Sequence, residues 1–202
     1  MENKSYNLLS VGVGGQGVIR AMQILSWAAL KDGFKVRTAE THGMAQRGGS
    51  VASYLRFSEN VEGPLIPRGQ SDVILALEAS EAVRYFNYAG PNTYFFINDK
   101  VIIPPMIREF PSCIEIQNFL KNVSQYIYFI NAEGLAENLG NRRTMNVIML
   151  GVLIGAKKIP IKKETLEVTI LNFVPKKFQD INRKAYQIGI EKGINIMSDQ
   201  HE

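Results

Sequence analysis

The apolar and polar positions of this chain fall into short blocks whose period changes along its length. "NLLSVGV" at 7–13 is almost wholly apolar, the pattern of a strand buried on both faces. Val18, Met22, Leu25 and Ala29 then recur at helical spacing, and Gly33 supplies a stop. "FKVRTAET" and "SVASYLRFS" predict two strands, and "DVILALE" at 72–78 another buried one. A helical "SEAVRYFNYAG" follows, and then strands at "TYFFIND" (93–99) and "YIYFINA" (126–132). This rhythm predicts an α/β fold, Rossmann-like and three-layered, with a largely parallel sheet.

The last third is helical. "TMNVIMLGVLIGAKK" is apolar around most of its circumference and reads as a buried helix. "KKETLEVTILNF" and "PKKFQDINRKAYQIGIEKG" predict two more, the second opening at Pro175. No linker separates them from the strands, so residues 1–202 read as one domain with a helical C-terminal part.

Composition narrows the function. Hydrophobic residues make up 46% and charged residues 21%, enough for a sizeable core. A net charge of +4 lacks the dense clustering of a nucleic-acid binder, and the lysine pairs at 157–158, 162–163 and 176–177 read as solvated faces and helix ends, with attraction for phosphorylated ligands as the second reading. Cys113 stands alone in "PSCIEI", which excludes a disulfide framework, a thiolate zinc site and a self-contained iron–sulfur cluster, and favours an inert thiol. His201 is in a polar tail and only His42 lies near a motif, so no metal site is expected. The apolar run Val147 to Ala156 is too short to cross a bilayer, and the opening residues lack a signal peptide's pattern. A soluble, cytoplasmic protein is the expectation.

Two glycine-rich stretches carry the chemistry. Gly12, Gly14 and Gly17 fit G-x-G-x-x-G directly after a strand and at the start of a helix, where backbone N–H groups attract anionic oxygens. A tight turn without a ligand is the plain structural alternative. A dinucleotide reading would use Glu40 on a ribose, but "HGMAQRGG" is too short for the crossover helix such a domain needs next. The chain should therefore turn back into an antiparallel or irregular neighbour. In the second stretch, Arg47 beside Gly48 and Gly49 joins a guanidinium to a permissive backbone, a combination suited to phosphate or carboxylate. His42 serves equally as a ligand contact or as a structural residue of the loop.

Together, "GVGGQGV" at 12–18, "THGMAQRGGSV" at 41–51 and "NVIMLGVL" at 146–153 resemble the gamma-type subunits of the 2-oxoacid:ferredoxin oxidoreductases, and the likeness covers almost the whole chain. The "HGMAQRGG" wording is similar to that of the indolepyruvate branch. The resemblance implies a complex that decarboxylates aryl 2-oxoacids on thiamine diphosphate, passes electrons through iron–sulfur clusters to ferredoxin, and yields an acyl-CoA. It places thiamine diphosphate and the clusters on a catalytic alpha subunit. This chain is left to pack on that partner, close its site and assist coenzyme A, with no catalytic residue of its own. The cofactor-binding residues it implies are Gly12, Gly14, Gly15, Gln16, Gly17, Thr41, His42, Arg47, Gly48, Gly49 and Asn146. Two other classes stay open on the residues alone: a free-standing NAD(P)- or flavin-dependent oxidoreductase, and a non-enzymatic assembly module.

Overall fold

The computed structural model describes residues 5–42, 48–103 and 107–198. Its elements run β1 (Tyr6–Val13), α1 (Val18–Lys31), β2 (Lys35–His42), β3 (Ser50–Ser58), β4 (Ser71–Ala76), α2 (Ala79–Arg84), β5 (Ala89–Asn98), α3 (Cys113–Leu120), β6 (Tyr126–Ile130), α4 (Ala132–Asn138), α5 (Met145–Gly155), α6 (Lys163–Asn172) and α7 (Gln179–Ser198). Short 3₁₀ turns precede β5, α5 and α7.

One six-stranded sheet has the order β2-β3-β1-β4-β5-β6. β1, β4, β5 and β6 are parallel, while β3 is antiparallel to both β1 and β2. The short second loop thus turns the chain back, as its length requires. Alternation along the strands divides the core into two layers. Leu8, Leu55, Leu75 and Phe96 face α1, α5, α6 and α7, and Leu9, Tyr54, Ile74 and Phe95 face α2 and α3. This is the expected three-layer arrangement.

Boundaries follow local chemistry. After α1, Gly33 takes φ +93°, its N–H bonds Leu30 O, and the Phe34 N–H bonds Ala29 O, a Schellman-type close. The helix predicted over 80–90 is shorter than its pattern: α2 ends at Arg84, a 3₁₀ turn takes Phe86–Tyr88, and β5 begins at Ala89. α3 was invisible in the apolar period, yet Ser112 and Glu115 form a full capping box at its start. α5 is buried on nearly every side, and α7 lies against it through Ala185, Tyr186, Gly189 and Ile190.

Candidate functional site

β1 feeds α1 on one face of the sheet and β4 feeds α2 on the other, so the carboxyl ends of these neighbours flank a crevice. Open α/β sheets bind ligands at such a switch point. Here the crevice is spanned by a side chain. Gln16 Oε1 accepts from the Val13 N–H at 2.8 Å, and Nε2 donates to the Leu77 carbonyl at 3.1 Å. Asn98 Nδ2 reaches the same carbonyl at 3.2 Å, while its Oδ1 accepts from the Glu133 N–H. Two carboxamides therefore tie β1, β4, β5 and the first turn of α4 together. Both ends of the Gln16 amide are engaged, one by Val13 in the turn and the other by Leu77 just past the end of β4.

Gly12 is buried under that glutamine, and a Cβ there would lie 2.8 Å from both Gln16 Oε1 and Val18 Cγ2. Gly17 is the N-cap of α1 at φ +89°, and a Cβ on it would stand 2.5 Å from Asn146 Nδ2. Asn146, near the start of α5, is 8% exposed and makes one long bond, 3.5 Å, to the Gly17 carbonyl. Gly14 meets the second loop directly. Its N–H donates to Gly49 O at 2.8 Å, and the Gly48 N–H returns to Gly14 O at 3.4 Å. Gly12, Gly14, Gly15, Gln16, Gly17, Gly48, Gly49 and Asn146 are thus brought together. Thr41 points elsewhere, reaching the Tyr54 hydroxyl on the α2 face. His42 ends β2, and Arg47 lies outside the described residues.

The open space runs along α1. A hollow of about 470 Å³ lies against Gly14, Gly15, Arg20, Gln23 and Val51. A second, about 450 Å³, holds Gly15, Gly17, Arg20, Arg142, Arg143 and Asn146. A third, about 500 Å³, extends from Arg20, Arg143 and Asn146 to Phe173, Phe178 and Asn182. Arg20 borders all three, which makes one groove with a cationic middle. Glu133 also lines that middle, but Arg142 bonds it closely and Lys100 sits 3.6 Å away. Sequence reading missed Arg20, Arg142 and Arg143. The signal available was "NRRT" at 141–144, a capping Asn with two arginines immediately before the apolar helix.

Glu40 is exposed on β2, and β3 separates that strand from β1. Two strand spacings, roughly 10 Å, therefore intervene between this carboxylate's strand and the glycine turn. That removes the geometry a ribose contact needs.

Among the described residues no group of three or more His, Cys, Asp or Glu side chains could hold a metal ion, and no helix is long and apolar enough to cross a membrane. The Cys113 thiol is pushed up to about 12 by burial first, then by Asp99 and Glu78. Its raised value adds stability below the ordinary thiol range that is lost as pH rises toward 12. Alkylation by iodoacetamide in the folded protein should therefore stay slow at pH 9 and accelerate only on unfolding. Rapid labelling of native protein at pH 8 would contradict this environment.

The sequence matches the family described as "Pyruvate ferredoxin/flavodoxin oxidoreductase" over residues 7–192. It is 40% identical over 201 residues to indolepyruvate oxidoreductase subunit IorB of Pyrococcus horikoshii, covering 96% of this chain and 99% of that one. The fold is similar to the keto/oxoacid ferredoxin oxidoreductase gamma subunit of Geobacter sulfurreducens, with a TM-score of 0.71 at 27% identity over 94% of this chain and 99% of that one. It is also similar in fold to part of a 2-oxoglutarate:ferredoxin oxidoreductase from Magnetococcus marinus, solved with coenzyme A and succinyl-CoA. That match has a TM-score of 0.71 at 21% identity and covers 98% of this chain and 32% of that one.

Proposed function

Because the chain belongs to the pyruvate ferredoxin/flavodoxin oxidoreductase family, we propose that it is the gamma-type subunit of an aryl-pyruvate oxidoreductase, indolepyruvate being the favoured 2-oxoacid. In this reading it binds coenzyme A along α1 and closes a partner's thiamine site. The observation that carries the ligand assignment is the groove with Arg20 and Arg143 at its middle and the N-terminus of α1 beside them. Donors of this kind suit phosphates.

The residues do not fit an iron–sulfur cluster, since one cysteine with a raised thiol cannot supply its ligands. Cluster and thiamine chemistry are accordingly assigned to the catalytic alpha subunit, which hands electrons to ferredoxin. A soluble cytoplasmic complex is the setting that this implies. The free-standing dinucleotide enzyme is disfavoured by the filled crevice and the distant Glu40.

The test is reconstitution with the catalytic subunit and an assay of coenzyme A-dependent ferredoxin reduction with indolepyruvate. Arg47→Ala should lower turnover at least tenfold while stability changes by less than about 0.5 kcal/mol. A collapse in thermal stability with normal activity per folded complex would make the arginine structural. Indolepyruvate turnover by the catalytic subunit alone would remove the need for this chain.

A further inference from the structure

Side chains of one segment, α2 with the 3₁₀ turn behind it, meet both ends of the second glycine loop. At the exit, Ser50 opens β3, and its hydroxyl donates to Glu81 Oε2 on α2. Its oxygen is left to accept from the Tyr85 hydroxyl, 3.3 Å away. At the entry, Thr41 reaches the Tyr54 hydroxyl, which stands 3.3 Å from that of Tyr88. Glu81 is the charged member of this network and is 3% exposed. Its Oε1 accepts from Arg84 Nε at 3.0 Å, on a side chain that is 62% exposed. A buried carboxylate is costly unless it is hydrogen-bonded, and its charge strengthens each bond it accepts. The base that carries it is itself tied down. Glu78, fully buried at the N-cap of α2, accepts from the Glu81 and Ile102 N–H groups, and the Ala79 N–H bonds the Lys100 carbonyl.

We propose that Glu81 is a positioning residue, whose carboxylate grips Ser50 and so holds the exit of the second glycine loop against the first. Two ties then act on neighbouring residues from opposite sides. Ser50 hangs on α2 through its side chain, while the Gly49 carbonyl accepts from the Gly14 N–H in the turn before α1. Val51, next along β3, lies against the hollow beside α1. Neither Ser50 nor Glu81 needs to touch a ligand, because the effect passes through the backbone of 48–51. The inference deepens the proposed function and rests on its reading of the second loop as a working part of the assembled enzyme.

The test is native cleavage of the full chain by trypsin after Arg47, followed by mass, since cleavage tracks the fraction of chain that is open there. Ser50→Ala and Glu81→Leu should each raise that rate about tenfold, as expected for losing one hydrogen bond to a charged group. Cleavage after the exposed Lys157, beyond the end of α5, should keep its wild-type rate. Glu81→Gln keeps an acceptor for the Ser50 hydroxyl and should return the Arg47 rate to within about threefold of wild type. The double variant of Ser50→Ala with Glu81→Leu should be cut no faster than Ser50→Ala by itself. In the complex with the catalytic subunit, Ser50→Ala should lower kcat and leave the KM for indolepyruvate in place. Ser50→Ala removes one hydroxyl and decides the point if Glu81→Leu does not fold. Wild-type cleavage at Arg47 in Ser50→Ala, or equal acceleration at Lys157, overturns the anchor. Faster cleavage at Arg47 with normal turnover keeps the anchor and overturns the loop's part in the working enzyme.

Discussion

Replacing Gly155 or Gly189 by valine is expected to leave little folded protein. These two glycines, with Gly151 and Gly193, form the contact between α5 and α7. A Cβ on Gly155 would enter the Ile190 carbonyl, and one on Gly189 would enter the Ile148 carbonyl. A Cβ on Gly193 would stand 2.7 Å from the Ala156 nitrogen. In each case the obstacle is helix backbone, which has no alternative rotamer. The helices would have to separate, uncovering an α5 whose described side chains are almost all buried. Overpacking in a core that can adjust costs about 1–3 kcal/mol, and a clash with fixed backbone belongs at or beyond the upper end. Against a total of about 5–15 kcal/mol, that removes a large part of the stability. Urea unfolding and the soluble fraction on expression measure it. A Gly155→Val protein melting within about 5 °C of wild type would show that the helix contact is far softer than it looks.

Gly17→Val should damage function more than stability. The substitution forces a β-branched residue into φ +89° and drives its Cβ against Asn146. Both strains fall on the segment that joins the glycine turn to the cationic part of the groove. We expect coenzyme A-dependent turnover of the assembled enzyme to fall on the order of a hundredfold, equivalent to about 2.7 kcal/mol. Adding Asn146→Ala relieves the clash but leaves the backbone strain, so the pair should recover only part of the loss. This coupling separates a local displacement from general unfolding. Full recovery in the double variant, or turnover near wild type in the single one, would contradict the geometry.

Much of the fold was legible because its strands announce themselves. β1, β4 and β5 carry near-continuous apolar runs, and the shortness of the second loop required an antiparallel neighbour that β3 supplies. α3 and α4 were harder. They are eight and seven residues long, held by side-chain caps at Ser112 and Asn131 rather than by a long amphipathic period. The glycine residues of the site were equally visible as spacing, but the part played by Gln16 was not. Which groups a side-chain amide bonds depends on Leu77, sixty-one residues away, and no local pattern encodes that meeting. Arg20, Arg143 and Asn182 escaped for the same reason. Arg20 lies on α1, Arg143 in the 3₁₀ turn before α5 and Asn182 on α7, and they become neighbours only after these helices pack on one face of the sheet.

That layered arrangement also constrains the order of assembly during synthesis. β1 emerges first, yet its two neighbours, β3 and β4, begin at residues 50 and 71. The side of α5 that meets α7 in turn has no cover until α7 is complete. A ribosome that has just released α5 therefore holds all six strands and an apolar helix with one side still uncovered, the kind of species that aggregates or recruits chaperones. Pairings across such sequence distances are slow to form. A delay between the release of α5 and the release of α7 would prolong that vulnerable interval, which ends when α7 docks.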